Sequence, residues 1–332
     1  MRRWVSVGIL ILALLITMPG TADAHAPKFP AGNDTLENAY IIDDVSKSLV
    51  IYNRLDGGVD YYRFTINDER LLLQILVPPE DLARGLRPHI VLMMPNWTEG
   101  GALPAEIDVP DGYGYEILTP TVTATPEYEG ITATAFHVLI DFDEYTSEFH
   151  DGEGTFFIAV YDSSGVSGNY ALVVGYEERF TLSELLWIPF DLIGIYQWQG
   201  SSLTLIVTPI LLFLMMGVIL MSSMRNNDDL DLNAILGISG GSLMIGTAST
   251  VTIQMLIAVS NSGLSSGLFM TSLLIIMGLA GGASTILLTV ERGEIKRWRA
   301  LLVFAAFLGL LSFNGLLLGP AMTLAAAIRG HG

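Results

Sequence analysis

The sequence predicts a chain of two parts, a β-sandwich followed by an α-helical transmembrane bundle of four helices. Three observations carry that reading. Residues 203–328 are long apolar segments broken only by short polar loops. Residues 48–175 contain seven short runs rich in β-branched and aromatic residues, punctuated by Gly, Pro, Asn and Asp. Charge is partitioned: residues 25–180 hold 26 acidic and 8 basic side chains, a balance of −18, while the remainder holds 8 of each.

In chain order, residues 1–24 read as a secretory signal. Arg2 and Arg3 form a basic start, Val5–Ile16 an apolar core, and Ala22-Asp23-Ala24 a small-residue cleavage site. The alternative is an uncleaved anchor, against which stand the helix-breaking Pro19 and Gly20. Export is therefore expected, yet the chain has no cysteine. The exported part must bury its own core rather than rely on disulfides, and thiol catalysis and thiolate metal sites are excluded. Its acidity repels nucleic acid and anionic lipid. Divalent cations, basic partners or plain solubility remain as its uses.

The expected exported domain covers residues 25–178. Its strands are expected at Ser48–Tyr52, Asp60–Ile66, Leu71–Val77, His89–Met94, Ile131–Ile140, Thr155–Tyr161 and Tyr170–Gly175. Several short strands with turn residues between them fit a sandwich. Asn33-Asp34-Thr35 and Asn96-Trp97-Thr98 match the N-glycosylation pattern.

Three motifs in order resemble bacterial pre-peptidase C-terminal domains. They are Gly32-Asn33-Asp34-Thr35-Leu36-Glu37-Asn38-Ala39, then Val59-Asp60-Tyr61-Tyr62-Arg63-Phe64, then the pair Gly154–Tyr161 and Gly168–Val174. The match spans residues 32–175 with a long insert near 95–130. The resemblance implies a jelly-roll-like sandwich, used by such domains for binding or for assisting secretion and not for catalysis. Some members bind Ca²⁺ near the first strand, and Asn33, Asp34 and Asp60 match those positions. The acids that usually precede the Asn are replaced here by Phe29-Pro30-Ala31-Gly32, and Ca²⁺ wants about six to eight oxygens.

Two other metal readings come from the residues themselves. Cleavage after Ala24 would leave His25 as the mature N-terminus, whose amine and imidazole can chelate Cu, with His89, His137 or His150 completing the site. Asp141, Asp143, Glu144, Glu148, Asp151 and Glu153 form an acidic cluster without EF-hand spacing, expected to be a solvated loop. Gly263-Leu264-Ser265-Ser266-Gly267 fits the pattern of a nucleophile elbow, but residues 203–328 contain no His to serve as base.

Residues 179–202 form the junction. Thr181-Leu182-Ser183-Glu184 is a capping box, and Trp187, Tyr196 and Trp198 sit among aliphatics behind it. That composition predicts an interfacial helix lying on the membrane surface and seating the sandwich. Uncharged runs then predict spans at about 203–223, 234–260, 268–290 and 300–322. Lys and Arg within Glu291–Arg299 place that loop in the cytoplasm, so residues 25–202 and the C-terminus are expected outside the cell membrane. Gly237 and Gly241, Gly278 and Gly282, and Gly315 and Gly319 recur four apart, a spacing that lets helices approach closely. Thr247, Ser249, Thr250, Thr252, Gln254 and Asn314 are expected to bond between helices.

The leading functional expectation is a non-enzymatic, membrane-anchored binding or scaffold protein that touches membrane lipid and other membrane or surface proteins, and no nucleic acid. One alternative is a copper-handling or oxidase-like subunit using His25. Another is an accessory subunit of a transporter complex.

Overall fold

The computed structural model describes residues 25–67, 69–95, 97, 100–145, 153–226, 230–291 and 295–329. The signal segment, the sequon residues Asn96 and Thr98, and His150, Glu148 and Asp151 lie outside the described residues.

Two sheets face each other. The lower sheet is ordered β1-β3-β11-β5-β9-β8 and the upper sheet β2-β4-β10-β6-β7. Their strands are β1 (Ala26–Lys28), β2 (Tyr40–Ile42), β3 (Leu49–Leu55), β4 (Val59–Asn67), β5 (Arg70–Val77), β6 (Pro88–Pro95), β7 (Tyr113–Leu118), β8 (Glu127–Glu129), β9 (Thr134–Tyr145), β10 (Glu153–Asp162) and β11 (Gly168–Val174). A short helix, α1 (Pro79–Ala83), joins β5 to β6. Pairing is antiparallel except at two edges, where β1 runs parallel to β3 and β2 parallel to β4.

Alternation along each strand builds the core. Leu71, Leu73 and Ile75 of β5 meet Tyr62, Phe64 and Ile66 of β4 between the sheets, all at most 2% exposed. The opposite face of each sheet is also covered. On the upper sheet, Tyr61, Val91, Met93 and Ala159 pack under Leu103, Ile107 and Val109 of the 95–112 insert. On the lower sheet, Val50, Leu76, Ala171 and Val173 form a second apolar surface against Trp198. A sheet apolar on both faces must be covered twice, and the second cover comes from the next element.

That element is α2 (Leu182–Trp198), capped as expected by Thr181 and Glu184. Three helices follow that are long and apolar enough to cross a membrane: α3 (Leu203–Asn226), α4 (Leu232–Ser262) and α5 (Gly267–Glu291).

The fourth expected span is corrected. Residues 300–322 do not form one helix but belong to two, α6 (Ile295–Leu311) and α7 (Leu318–Arg329), separated by a turn. Phe313, Gly315, Leu316 and Leu317 all have φ between 51° and 88°, a conformation that reverses the chain. Gly309 and Gly315 lie against Pro320, and Trp298 and Leu302 pack with Ala327, so α6 and α7 form an antiparallel hairpin. Helix α6 is about 25 Å long, and the hairpin enters and leaves by the same end of the bundle. Arg329, at the end of α7, therefore lies at the same end of the bundle as the start of α6, and not at the opposite end as four full spans would require. The cause is local: an Asn-Gly pair followed by Gly-Pro breaks a run that composition alone shows as continuous.

The recurrent glycines serve packing inside the bundle. A Cβ on Gly241 would come within 2.7 Å of the Gly282 carbonyl, and one on Gly240 within 2.7 Å of the Gly319 carbonyl.

Candidate functional site: a groove between sandwich and bundle

The apolar underside of the lower sheet is held over the membrane helices from two directions. On one side, the Glu184 carboxylate receives Lys28 Nζ at 3.0 Å and Lys47 Nζ at 2.8 Å, tying the first turn of α2 to the sandwich. Burial opposes ionisation of Glu184, but hydrogen bonds from Lys47, the Thr181 N–H and Lys28 outweigh it and hold the carboxyl at about 2. At the far end of α2, Trp198 Nε1 donates to the Tyr170 carbonyl at 2.8 Å, and Asn169 Nδ2 donates to the Trp198 carbonyl at 2.8 Å. Phe29 stacks on Tyr52, and its ring also lies over Gly194, where a Cβ would meet it at 2.8 Å.

On the other side, the turn between β8 and β9 rests on the bundle. Tyr128 Oη lies 2.8 Å from Thr271 Oγ1, which donates to the Gly130 carbonyl at 2.5 Å. Gly130 and Gly267 meet backbone to backbone, so close that a Cβ on Gly130 would lie 2.7 Å from the Gly267 carbonyl. Ser201 Oγ donates to Gln254 Oε1 at 2.7 Å, fixing the link between α2 and α3 to the second span.

Between these two supports the sheet does not close onto the helices. A groove of about 890 Å³ remains. Its roof is the sheet, with Val50, Tyr52, Leu76, Phe136 and Val138 pointing down. One wall is α2, through Leu185, Ile188, Leu192 and Ile195, and Phe313 of the α6–α7 turn reaches the floor. Glu127, Glu129 and several threonines from 119 to 134 line the β8 side. A bulge shapes the roof: β5 and β9 shift register between Ile75 and Leu76, so that Leu139 and Ile140 both enter the core while Val138 faces the groove.

A second cavity of about 40 Å³ lies beneath, bounded by Pro189, Tyr196, Thr250, Leu274 and Asn314. Ile131, Ile188, Leu192 and Phe313 line both spaces, so the two adjoin. Tyr196 Oη and Asn314 Oδ1 are buried here without a hydrogen-bond partner among the described residues. The volume suffices for a water-sized group. The rest of the turn is satisfied: the Gly315 N–H donates to Thr247 Oγ1 at 2.6 Å, and Asn314 Nδ2 donates to the Leu274 carbonyl at 3.2 Å. Non-helical backbone among membrane helices persists only where protein or a cavity meets its polar groups. Of the polar residues expected to bond between helices, Thr250 does so here, its Oγ1 donating to the Ile206 carbonyl at 2.8 Å, whereas Ser249 and Thr252 donate to the Ile245 and Ala248 carbonyls of their own helix at 2.8 Å.

The expected metal residues lie elsewhere. Asn33 and Asp60 are brought together at one end of the sandwich, with Asn53 Nδ2 between them, 3.1 Å from Asn33 Oδ1 and 3.1 Å from Asp60 Oδ2. Tyr170 Oη donates to Asp60 at 2.7 Å and lies 2.5 Å from Tyr62 Oη. An amide donor thus occupies the centre of the oxygens, and Asp34 points to solvent. Burial raises the Asp60 carboxyl to about 6, against the hydrogen bond from Tyr170. His25 contacts Ser48 through Nδ1 at the edge of the groove. His89 stacks on Tyr161 in the upper sheet and His137 bonds to Thr123 in the lower sheet. Among the described residues no three His, Asp or Glu side chains gather to hold a metal. Ser265 sits in an exposed loop between α4 and α5.

The chain matches no known protein family and no curated protein.

Sequence reasoning did not find the groove. Its roof is the outer face of a sheet, its wall the helix α2 and its floor a turn inside an apolar run. The signal that was available is the composition of α2, which is apolar on every side and so must bury or immerse all of them.

Proposed function

We propose that the chain is a non-enzymatic, membrane-anchored binding protein, and that its ligand site is the groove between the lower sheet and the bundle. The acidic sandwich stands outside the cell in this reading, in keeping with the basic loop at 291–299 on the opposite side. The single observation that supports it best is a groove of about 890 Å³ held open by two independent sets of contacts. Ligand sites of small molecules are concave, largely apolar and preformed, with volumes of about 300–1,000 Å³. The resemblance of residues 32–175 to pre-peptidase C-terminal domains points the same way, since such sandwiches serve binding. Calcium at Asn33 and Asp60 and copper at His25 remain separate proposals, for which the groove supplies no support.

Native mass spectrometry of the intact chain, extracted with its surrounding lipid in polymer discs, tests the reading. The expected result is a stoichiometric small molecule retained by the wild type and lost in Val138→Trp and in Leu192→Trp, which fill the groove from opposite walls. A wild type that carries no such molecule, or variants that retain it, would overturn the proposal.

A further inference from the structure

A single helix, α2, forms the outer wall of the groove. Leu182, Leu186 and Trp187, on the side of α2 away from the groove, are 74%, 48% and 61% exposed. The opposite side carries Leu185, Ile188 and Leu192 into the groove. A helix apolar on both sides is buried or immersed in lipid, and among the described residues Leu182, Leu186 and Trp187 on the outer side of α2 stay exposed. Beneath it, Phe313 belongs to the turn between α6 and α7, packed among helices that are long and apolar enough to span. That one ring borders both the groove and the lower cavity. The groove and the lower cavity, which Leu274 lines, therefore adjoin at Ile131, Ile188, Leu192 and Phe313.

The part of the groove between the sheet and α2 is apolar, and such a space fills from the phase it adjoins. Water lodged against Val138, Phe136 and Leu76, away from the threonines and glutamates of the β8 side, would lack hydrogen bonds, and an empty space would forfeit their packing. A hydrocarbon chain meets neither cost. The polar end of such a ligand falls at the β8 side, where Glu127 and Glu129 line the rim beneath a domain of net charge −18. That rim disfavours an anionic headgroup.

We propose that the groove takes the acyl chain of a zwitterionic bilayer lipid, drawn upward from the outer leaflet past Phe313 and lodged against the sheet. This deepens the binding reading above and rests on it. The lipid itself is then the cargo or the permanent filling of the site. Phe313 and Ile188 set its entrance, and Val138 its end.

The test uses the full chain in phosphatidylcholine vesicles containing a trace of phosphatidylcholine with a diazirine at the end of one acyl chain. After irradiation and digestion, label is expected on residues 134–140 of β9 as well as on the lipid-facing side of α3 around Met216, which is 59% exposed. Val138→Trp is expected to lower the β9 label at least tenfold and to leave the α3 label unchanged, which shows that the variant is still folded and inserted. Leu192→Trp repeats the test from the other wall. Label confined to α3–α5, or β9 label unaffected by both variants, would overturn the acyl-chain proposal. If native mass spectrometry still finds a groove-dependent small molecule in that case, the binding reading stands and only the lipid falls. Phosphatidylglycerol carrying the same diazirine is expected to label β9 severalfold less, and equal labelling would overturn the choice of headgroup.

Discussion

Lys47 Nζ lies 2.8 Å from the Glu184 carboxylate, across 137 residues of sequence, and so fastens the first turn of α2 to the edge of the sandwich. Lys28 reaches the same carboxylate from β1. The Glu184 side chain is 17% exposed, so the pair is shielded more than a surface salt bridge. Glu184→Gln is expected to lower stability by about 1–2 kcal/mol at pH 7.

The sign of its pH dependence follows from the lowered carboxyl. Stability from Glu184 is fully present above its unfolded value of 4.5 and is lost as pH falls toward about 2. Thermal melts of wild type and Glu184→Gln should therefore converge between about pH 4.5 and 2. A constant gap across that range would contradict the assignment.

Asp60 works in the other direction. Its folded carboxyl is raised to about 6 from 3.8, so its contribution is fully present below 3.8 and is lost as pH rises through about 6. Asp60→Asn keeps an oxygen to accept from Tyr170 while removing the buried charge. It is expected to be more stable than wild type at pH 8 by about 1–2 kcal/mol, with the difference fading below pH 4. A variant destabilised equally at both pH values would show that the carboxylate is needed as an ion.

Thr271 tests the seat on the bundle. Its hydroxyl joins Tyr128 and the Gly130 carbonyl to the second long loop-to-helix junction. Thr271→Val conserves shape and leaves both partners unpaired, at a cost of about 1–3 kcal/mol. The expected outcome is faster limited proteolysis around residues 128–132 with the membrane helices intact. Unchanged cleavage would mean that the turn is held by other contacts.

Gly315 tests the hairpin. It has φ of 88°, and a Cβ there would lie 2.8 Å from Met244 and from Pro320. Gly315→Ala is expected to destabilise the bundle by about 2–3 kcal/mol through strain and crowding together. The topology has its own check, since the chain has no cysteine. Single cysteines at Arg297 and Arg329 are expected to react with a membrane-impermeant maleimide from the same face of the vesicle. Reaction from opposite faces would restore a fourth span.

What the sequence disclosed depended on range. The capping box of α2 spans four residues and was legible, whereas the lysines that complete the Glu184 cluster come from far earlier in the chain. Four of the seven expected strands fall within observed ones and the other three overlap them, with Ser48, Ile131–Ala133 and Gly175 left outside; the clearest, β5, alternates strictly through Leu71, Leu73 and Ile75. Strands β1 and β2 have three residues each, too few to show a period, and β7 and β8 lie in the insert among threonines and prolines. Three long helices were legible from length and apolarity. The break between α6 and α7 was not, since Gly315 and Gly319 fit a close-packing pattern and Asn314 an interhelical hydrogen bond inside an uncharged run. Asn33 and Asp60 are linked through Asn53, which belongs to no motif. The groove combines all of these long-range features, which is why no stretch of residues announced it.

The central claim is that the underside of the lower sheet faces a lipid-accessible groove. Bimane fluorescence from Val138→Cys, in the full chain in vesicles containing lipids with nitroxides along the acyl chain, measures this most directly. The account predicts quenching by the chain nitroxides comparable to that of Met216→Cys on α3, with little quenching by aqueous iodide. Strong iodide quenching of Val138→Cys, with no effect of the lipid nitroxides while Met216→Cys responds to them, would contradict it.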